Sequence, residues 1–286
     1  MVRREYAIDR SVHMVTDHRT LSRFLESATL ANGYHIIADG ETPLVVLNNY
    51  RGYETTVVFF HAAIEPLYTL PVITGLGISA DAPVNRVFIS DPSLALDETL
   101  NLAWFAGSTG QRLQGIIEDV VAKVSNSHGS SRLVFFGASG GGFASLYYSA
   151  QFPGSIAVVA NPQTDIRRYH PDAVEKFFAT CFPVHVPHSL TTDVTELYSA
   201  IVPNTVLYMQ NRSDDSHIRE HFGPFMERLH PANDVRVLQG DWGVGHAAPP
   251  KQLLSDILHN LGEGNWDESL SHFTARPVAP TPSAPN

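Results

Sequence analysis

Short apolar runs recur along the chain at residues 34–38, 44–47, 55–60, 86–90, 132–136, 156–160, 205–209 and 235–238. They are rich in β-branched and aromatic side chains, as in Thr55-Thr-Val-Val-Phe-Phe60, which is the mark of strands buried on both faces. After residue 111 the intervals between them carry a helical period instead. Leu113, Ile116, Ile117, Val120 and Val121 fall on one face of a helix over 112–124, because residues three and four apart share a helix face. Residues 142–151 read as a second helix, stopped by Phe152-Pro153-Gly154. Two more amphipathic helices are predicted over 217–229 and 250–261. Strands alternating with helices predict an α/β fold, a mostly parallel sheet of about eight strands with helices on both faces. The first strands have no helices between them, so the sheet is expected to begin antiparallel.

Two stretches break this rhythm. Residues 165–200 lie between the sixth and seventh predicted strands and carry Arg167, Arg168, several histidines and three prolines. That connection exceeds the ~2–6 residues usual in α/β units, even with one helix over 172–180, and is expected to form a small cap. A main domain over 1–264 is followed by an extension, 265–286, whose last ten residues hold four prolines and are expected to be disordered or extended.

Composition narrows the function. Of 286 residues 43% are hydrophobic, enough for a large core, and only 17% are charged, below the ~25% usual for soluble domains. A disordered or coiled-coil chain is thereby excluded. The net charge of −10 gives no electrostatic footprint for nucleic acid. Cys181 is the single cysteine, so neither an intrachain disulfide nor a cysteine-rich zinc site is available. The first ten residues have basic groups but no apolar stretch behind them, and no run approaches the ~18 apolar residues of a membrane span. A cytoplasmic protein with no membrane span is expected.

The chemistry concentrates at Phe135-Phe136-Gly137-Ala138-Ser139-Gly140-Gly141-Gly142-Phe143. Gly137, Ser139 and Gly141 form G-x-S-x-G between a strand and a helix, the context of a nucleophile elbow. There the hydroxyl of Ser139 projects above the sheet at the positive end of a helix, and the Gly140 amide faces a developing oxyanion. A serine needs a base and an orienting acid, in the chain order Ser, Asp or Glu, His. His246, in the glycine-flanked loop after the eighth strand, is the preferred base. Asp214, after the seventh strand, is the preferred acid, with Asp215 and Asp165 as alternatives. Phe60-His61-Ala62-Ala63-Ile64 follows the third strand, where a second oxyanion donor belongs; Ala63 is the first choice and Ala62 the alternative.

Two rival constellations are weaker. Gly137-x-x-Gly140-x-x-Phe143 is a degraded dinucleotide fingerprint, but it comes after about five strands instead of opening the first βαβ unit. His217 and His221 have a helical metal-ligand spacing, yet lack the H-E-x-x-H glutamate, and such pairs are usually solvated. Neither a metal nor another cofactor is expected.

The ordered trio of Ser139, Asp214 and His246 resembles the α/β-hydrolase superfamily over about residues 30–262. The strings Gly137-Ala-Ser-Gly-Gly-Gly-Phe-Ala-Ser145, Asn161-Pro-Gln-Thr-Asp165, Gln210-Asn211 and Gly245-His246-Ala-Ala-Pro-Pro250 are similar to a bacterial group from polysaccharide loci. That group includes capsule-sugar O-acetyltransferases and hydrolase-like proteins. The resemblance implies the fold and a serine triad acting on a small-molecule ester or a saccharide. It leaves the acyl acceptor, water or a sugar hydroxyl, to be decided. Ala62-Ala63 departs from the His-Gly step many hydrolases carry there. A hydrolase-fold binding protein with an unused triad, and a nicotinamide-dependent enzyme, are the competing classes.

Overall fold

Each of the eight apolar runs forms a strand, and two further strands flank them in the computed structural model, which describes residues 2–66 and 68–275. In chain order the strands are β1 (Val15–His18), β2 (Gly33–Ile37), β3 (Leu44–Asn49), β4 (Thr55–Phe60), β5 (Asn85–Ser90), β6 (Arg132–Ala138), β7 (Ile156–Ala160), β8 (Thr205–Asn211), β9 (Asp234–Gly240) and β10 (Thr274–Ala275). They make one sheet in the order β1-β2-β3-β5-β4-β6-β7-β8-β9-β10. From β5 through β9 every neighbouring pair is parallel. The β2–β3 and β3–β5 pairs are antiparallel, as the helix-free opening requires.

The expected eight strands thus become ten among the described residues. Both additions are edge strands with no buried apolar pattern to betray them. β1 reads Val-Thr-Asp-His and leaves its two central residues exposed. β10 has two residues, both exposed, and pairs antiparallel with β9. The Pro-rich stretch 277–286 lies outside the described residues.

The helices are α1 (Leu21–Leu25), α2 (Leu113–His128), α3 (Gly140–Ala150), α4 (Pro171–Cys181), α5 (Val194–Tyr198), α6 (Asp215–His217), α7 (Gly223–Arg228), α8 (Lys251–Glu263) and α9 (Trp266–Ser271). The continuous helix predicted over 217–229 is broken: a π turn, Ile218–Phe222, separates α6 from α7. Pro224 explains the break, because it lacks an N–H and its ring clashes with the carbonyl four residues back, so the turn widens.

Alternation along β4 splits the core into two layers. Val58 and Phe60 face Leu113, Ile117 and Val121 of α2, whereas Val57 and Phe59 face Ile257, Leu258 and Leu261 of α8. A third cluster joins Trp104, Phe143, Phe177 and Phe225, and so ties the 165–200 segment to the sheet. The parallel strands all point one way, which gathers the turns after β4, β6, β7, β8 and β9 at one end of the sheet. In open α/β sheets that end carries the site. Among the described residues no helix is long and apolar enough to cross a membrane.

Candidate active site

Ser139 stands between β6 and α3 with φ 53° and ψ −119°, a conformation that costs a non-glycine residue about 1–3 kcal/mol. The glycines around it make that turn possible. A Cβ on Gly137 would overlap the Gly141 carbonyl, and one on Gly141 would overlap the Phe60 carbonyl. The elbow and the exit of β4 therefore pack backbone against backbone. The Ser139 amide donates to Ala160 O (3.0 Å) and its carbonyl accepts from the Gln163 amide (3.1 Å).

Asp214 and His246 meet at the ends of β8 and β9. His246 Nδ1–H donates to Asp214 Oδ2 over 2.6 Å. The carboxylate is 3% exposed. Burial works to raise its pKa, but the hydrogen bonds from His246 and the His217 amide, with the charge of the neighbouring imidazoles, hold it below the usual value. Asp215 is exposed and opens α6, while Asp165 accepts from the Arg167 amide (2.8 Å). Of the three candidate acids, Asp214 is the one in contact with His246.

The His246 loop is clamped by two buried asparagines that sequence reasoning missed as functional. Asn211 Nδ2 donates to Gly243 O (2.8 Å) and Gly245 O (2.7 Å), and its Oδ1 accepts from the Trp242 amide. Asn161 Nδ2 donates to Ala247 O (2.8 Å), and its Oδ1 accepts from the Asn211 amide. In the sequence both stand only inside the strings that carry the resemblance, with no role of their own, Asn161 just past β7 and Asn211 as the last residue of β8.

His217, weighed in the sequence only as half of a metal-ligand pair with His221, also meets Asp214. Its Nδ1 lies 3.1 Å from Asp214 Oδ2, and its ring stacks on His246 with centroids 4.0 Å apart. Burial, reinforced by His246, lowers its pKa to about 4. The ring is therefore neutral at pH 7, and Nδ1 carries the proton toward the carboxylate. His221 is also buried, its pKa pushed down to about 3 by burial, and its Nδ1 accepts from the Thr164 amide (3.3 Å). The His217–His221 pair is thus interior, not a solvated helix face. Asp214, His217 and His246 do cluster, with ligand-type atoms within 4.8 Å. Two rings stacked 20° from parallel cannot both aim lone pairs at one tetrahedral cation. The arrangement suits proton transfer better than metal binding.

On the opposite side of the elbow, His61 shapes the turn after β4. Its Nε2 accepts from the Asp91 amide (3.1 Å), so Nδ1 holds the proton and donates to Ala62 O (2.8 Å). Burial depresses its pKa to about 4, which keeps this tautomer neutral. The amides of Ala62, Ala63 and Gly140 have no acceptor among the described residues, whereas the next amide, Ile64, is bonded to Asn101 O. Ala63 also borders a cleft of about 440 Å³ with Leu102, Tyr169, His170 and Lys176.

Ser139 Oγ does not hydrogen-bond His246 in this structure. Its partner is Gln163, whose Nε2 donates over 2.9 Å. A base–nucleophile contact that is open in the free protein and tightens on ligand binding is common in such sites.

Comparison with solved structures decides the fold. The capsule O-acetyltransferase of Neisseria meningitidis serogroup A aligns with a TM-score of 0.57 at 12% identity, covering 86% of this chain and 95% of that one. The S-formylglutathione hydrolase of Agrobacterium tumefaciens aligns with a TM-score of 0.50 at 12% identity, covering 87% and 93%. The fold is that of the α/β hydrolases. Both neighbours are α/β-hydrolase-type enzymes, and the likeness at this identity speaks for architecture alone. No protein-family model matches the sequence, and no curated protein is significantly similar to it.

Proposed function

We propose that the protein is a serine-dependent carboxylic ester hydrolase, or an O-acyltransferase working through the same acyl-enzyme. The observation that carries this reading is the 2.6 Å contact between His246 Nδ1 and a buried Asp214, at the same sheet end as a serine held at φ 53°. In the proposed cycle Ser139 Oγ attacks the ester carbonyl carbon, and its proton passes to His246 Nε2. Asp214 holds the imidazole in the tautomer that leaves Nε2 free and stabilises its cation. The carbonyl oxygen takes up the displaced electron pair and is met by the unspent amides of Gly140 and Ala63; one such donor is worth about 3–4 kcal/mol in the best-measured case. The leaving alcohol takes the proton from His246 as its bond to carbon breaks. Water, or an acceptor hydroxyl, then repeats the sequence and frees Ser139.

The transfer branch draws support from overall likeness to a capsule O-acetyltransferase, another form of which was solved with CoA. In the proposed reading the 165–200 segment is a cap that selects the substrate. Labelling with a fluorophosphonate, followed by mass mapping, tests the core of the proposal. Modification of Ser139 that is lost in His246→Ala supports it; an unlabelled protein supports the unused-triad reading. Turnover of an activated acetate ester with and without a sugar acceptor then separates hydrolysis from transfer by the product formed.

A further inference from the structure

We propose that Gln163 is a further catalytic residue: its side-chain amide donates to Ser139 Oγ and stabilises the charge on that oxygen as the acyl group arrives and leaves. The proposal rests on Ser139 being the nucleophile.

Gln163 is wholly buried, beside Tyr169 as well as Ser139, and the orientation of its amide is decided by Trp104. The Trp104 indole N–H hydrogen-bonds Gln163 Oε1. An indole nitrogen only donates, so the oxygen of the amide must face Trp104 and the NH₂ must face Ser139. Nε2 then lies 2.9 Å from Ser139 Oγ. The lock behind it is also built. Trp104 and Phe105 take φ values of 53° and 55°, in the left-handed region that bulky residues avoid. Two buried groups hold Phe105 there: Asp91 Oδ2 accepts from its amide (2.6 Å), and Tyr148 OH donates to its carbonyl (2.8 Å). A strained backbone held by buried partners to aim a donor at one oxygen atom is a feature of sites more than of cores.

This bond has a defined role in the chemistry. While Gln163 occupies one lone pair of Oγ, the serine proton remains available for His246. As that proton leaves ahead of bond formation, negative charge gathers on Oγ and the N–H···O bond strengthens; the Oγ–carbon bond then passes that charge on to the carbonyl oxygen. In the acyl-enzyme Oγ is an ester oxygen and a poor acceptor. When water or a hydroxyl attacks, Oγ departs with the bonding pair, takes the proton from His246, and the Gln163 bond is regained. The amide therefore assists acylation and deacylation alike.

The test is the saturation kinetics of fluorophosphonate labelling at Ser139 in the parent, Gln163→Met and Gln163→Glu, with melting curves for each. Gln163→Met removes the donor at nearly constant volume. Gln163→Glu keeps an acceptor for Trp104 but offers Ser139 a carboxylate that competes with His246 for its proton. Both are expected to lower the maximal labelling rate by about 10-fold or more, on the scale of a lost transition-state donor, with half-saturation unchanged. Parental rates in either folded variant overturn the proposal, and failure of both to fold overturns it in favour of a purely structural role. A parent that is not labelled at Ser139 refutes the nucleophile itself, a distinct outcome.

Discussion

His217 and His246 lie face to face, their rings 20° from parallel and 4.0 Å apart, and both turn Nδ1 to the Asp214 carboxylate. His246 has 41% of its side chain exposed, so the buried ring beneath it is the surface against which it is positioned. His217→Ala should lower kcat for an activated ester by roughly 10-fold, with KM nearly unchanged, because orientation is lost and binding is not. His217→Phe keeps the stacking surface and should recover part of that loss. An equal loss in both variants would place the effect in the hydrogen bond to Asp214.

Asp214→Asn should reduce kcat by about 10⁴-fold, the cost of an amide in place of a triad acid. Asp215→Asn should stay within about twofold, since an exposed surface substitution away from the chemistry is usually near neutral. Steady-state turnover of a p-nitrophenyl ester measures both. A larger loss in Asp215→Asn would move the acid to that residue.

Stability should fall as the solution is acidified below pH 6.5. Burial lowers the pKa of His61, His128 and His217 to about 4 and of His221 to about 3. Between those values and the unfolded histidine value the unfolded chain binds more protons, so protonation pulls toward unfolding. Their contribution is complete above pH 6.5 and is lost as pH drops toward 4. Asp91 works in the other direction: burial raises its pKa to about 6, so its contribution is present at low pH and fades as pH rises through 6. His18 and His35 are lowered by burial as well, and Glu118 and Asp165 are raised with Asp91, so the lowered histidines outnumber the raised carboxylates and predict a Tm lower by at least ~5 °C at pH 5 than at pH 7, on the usual scale for a chain this long. Calorimetric scans across that range check it; a Tm rising on acidification would contradict it.

Within the 165–200 segment two neighbouring phenylalanines should respond differently. Phe177 is fully buried and packs on Trp104, centroids 5.2 Å apart, so Phe177→Ala should cost about 3–5 kcal/mol of stability. Phe178 is half-buried under Arg167, whose guanidinium lies 4.5 Å from the ring centre. If the segment caps the site, Phe178→Ala changes the ratio of kcat/KM between short and long acyl esters and moves Tm little. Arg168, facing Asp165 at 4.0 Å and Glu220 at 3.8 Å, is already neutralised by carboxylates, so Arg168→Ala should leave preference among anionic acceptors within about twofold, as exposed ion-pair losses usually do. An unchanged chain-length ratio in Phe178→Ala would remove the cap reading.

The strands were legible because burial on both faces demands continuous apolar runs, and Thr55–Phe60 is buried at every position. β1 and β10 were not, because an edge strand can be held by backbone pairing while its side chains stay polar. G-x-S-x-G marked the elbow, since only glycines fit where Gly137 and Gly141 meet neighbouring carbonyls. Gln163, Asn161 and Asn211 were marked only as members of the strings that carry the resemblance, and His61 only as a neighbour of Ala62 and Ala63, none with a role of its own. Each works through a directed hydrogen bond to a group distant in sequence, and a single polar residue at a strand end announces no partner. The choice of Asp214 over Asp215 likewise depends on which way one turn of chain faces.

The contact between Gly141 and the carbonyls of Phe60 and His61 has an evolutionary reading. Because the serine turn and the turn after β4 touch through main chain, their spacing does not depend on which side chains line the surrounding clefts. Cleft-lining residues such as His170 and Ala173 can then change one at a time without moving the serine turn. Exchange at Gly137 or Gly141 is closed to every residue that carries a Cβ. Under the proposed function, a lineage built this way diversifies in what it accepts while the serine turn is inherited intact.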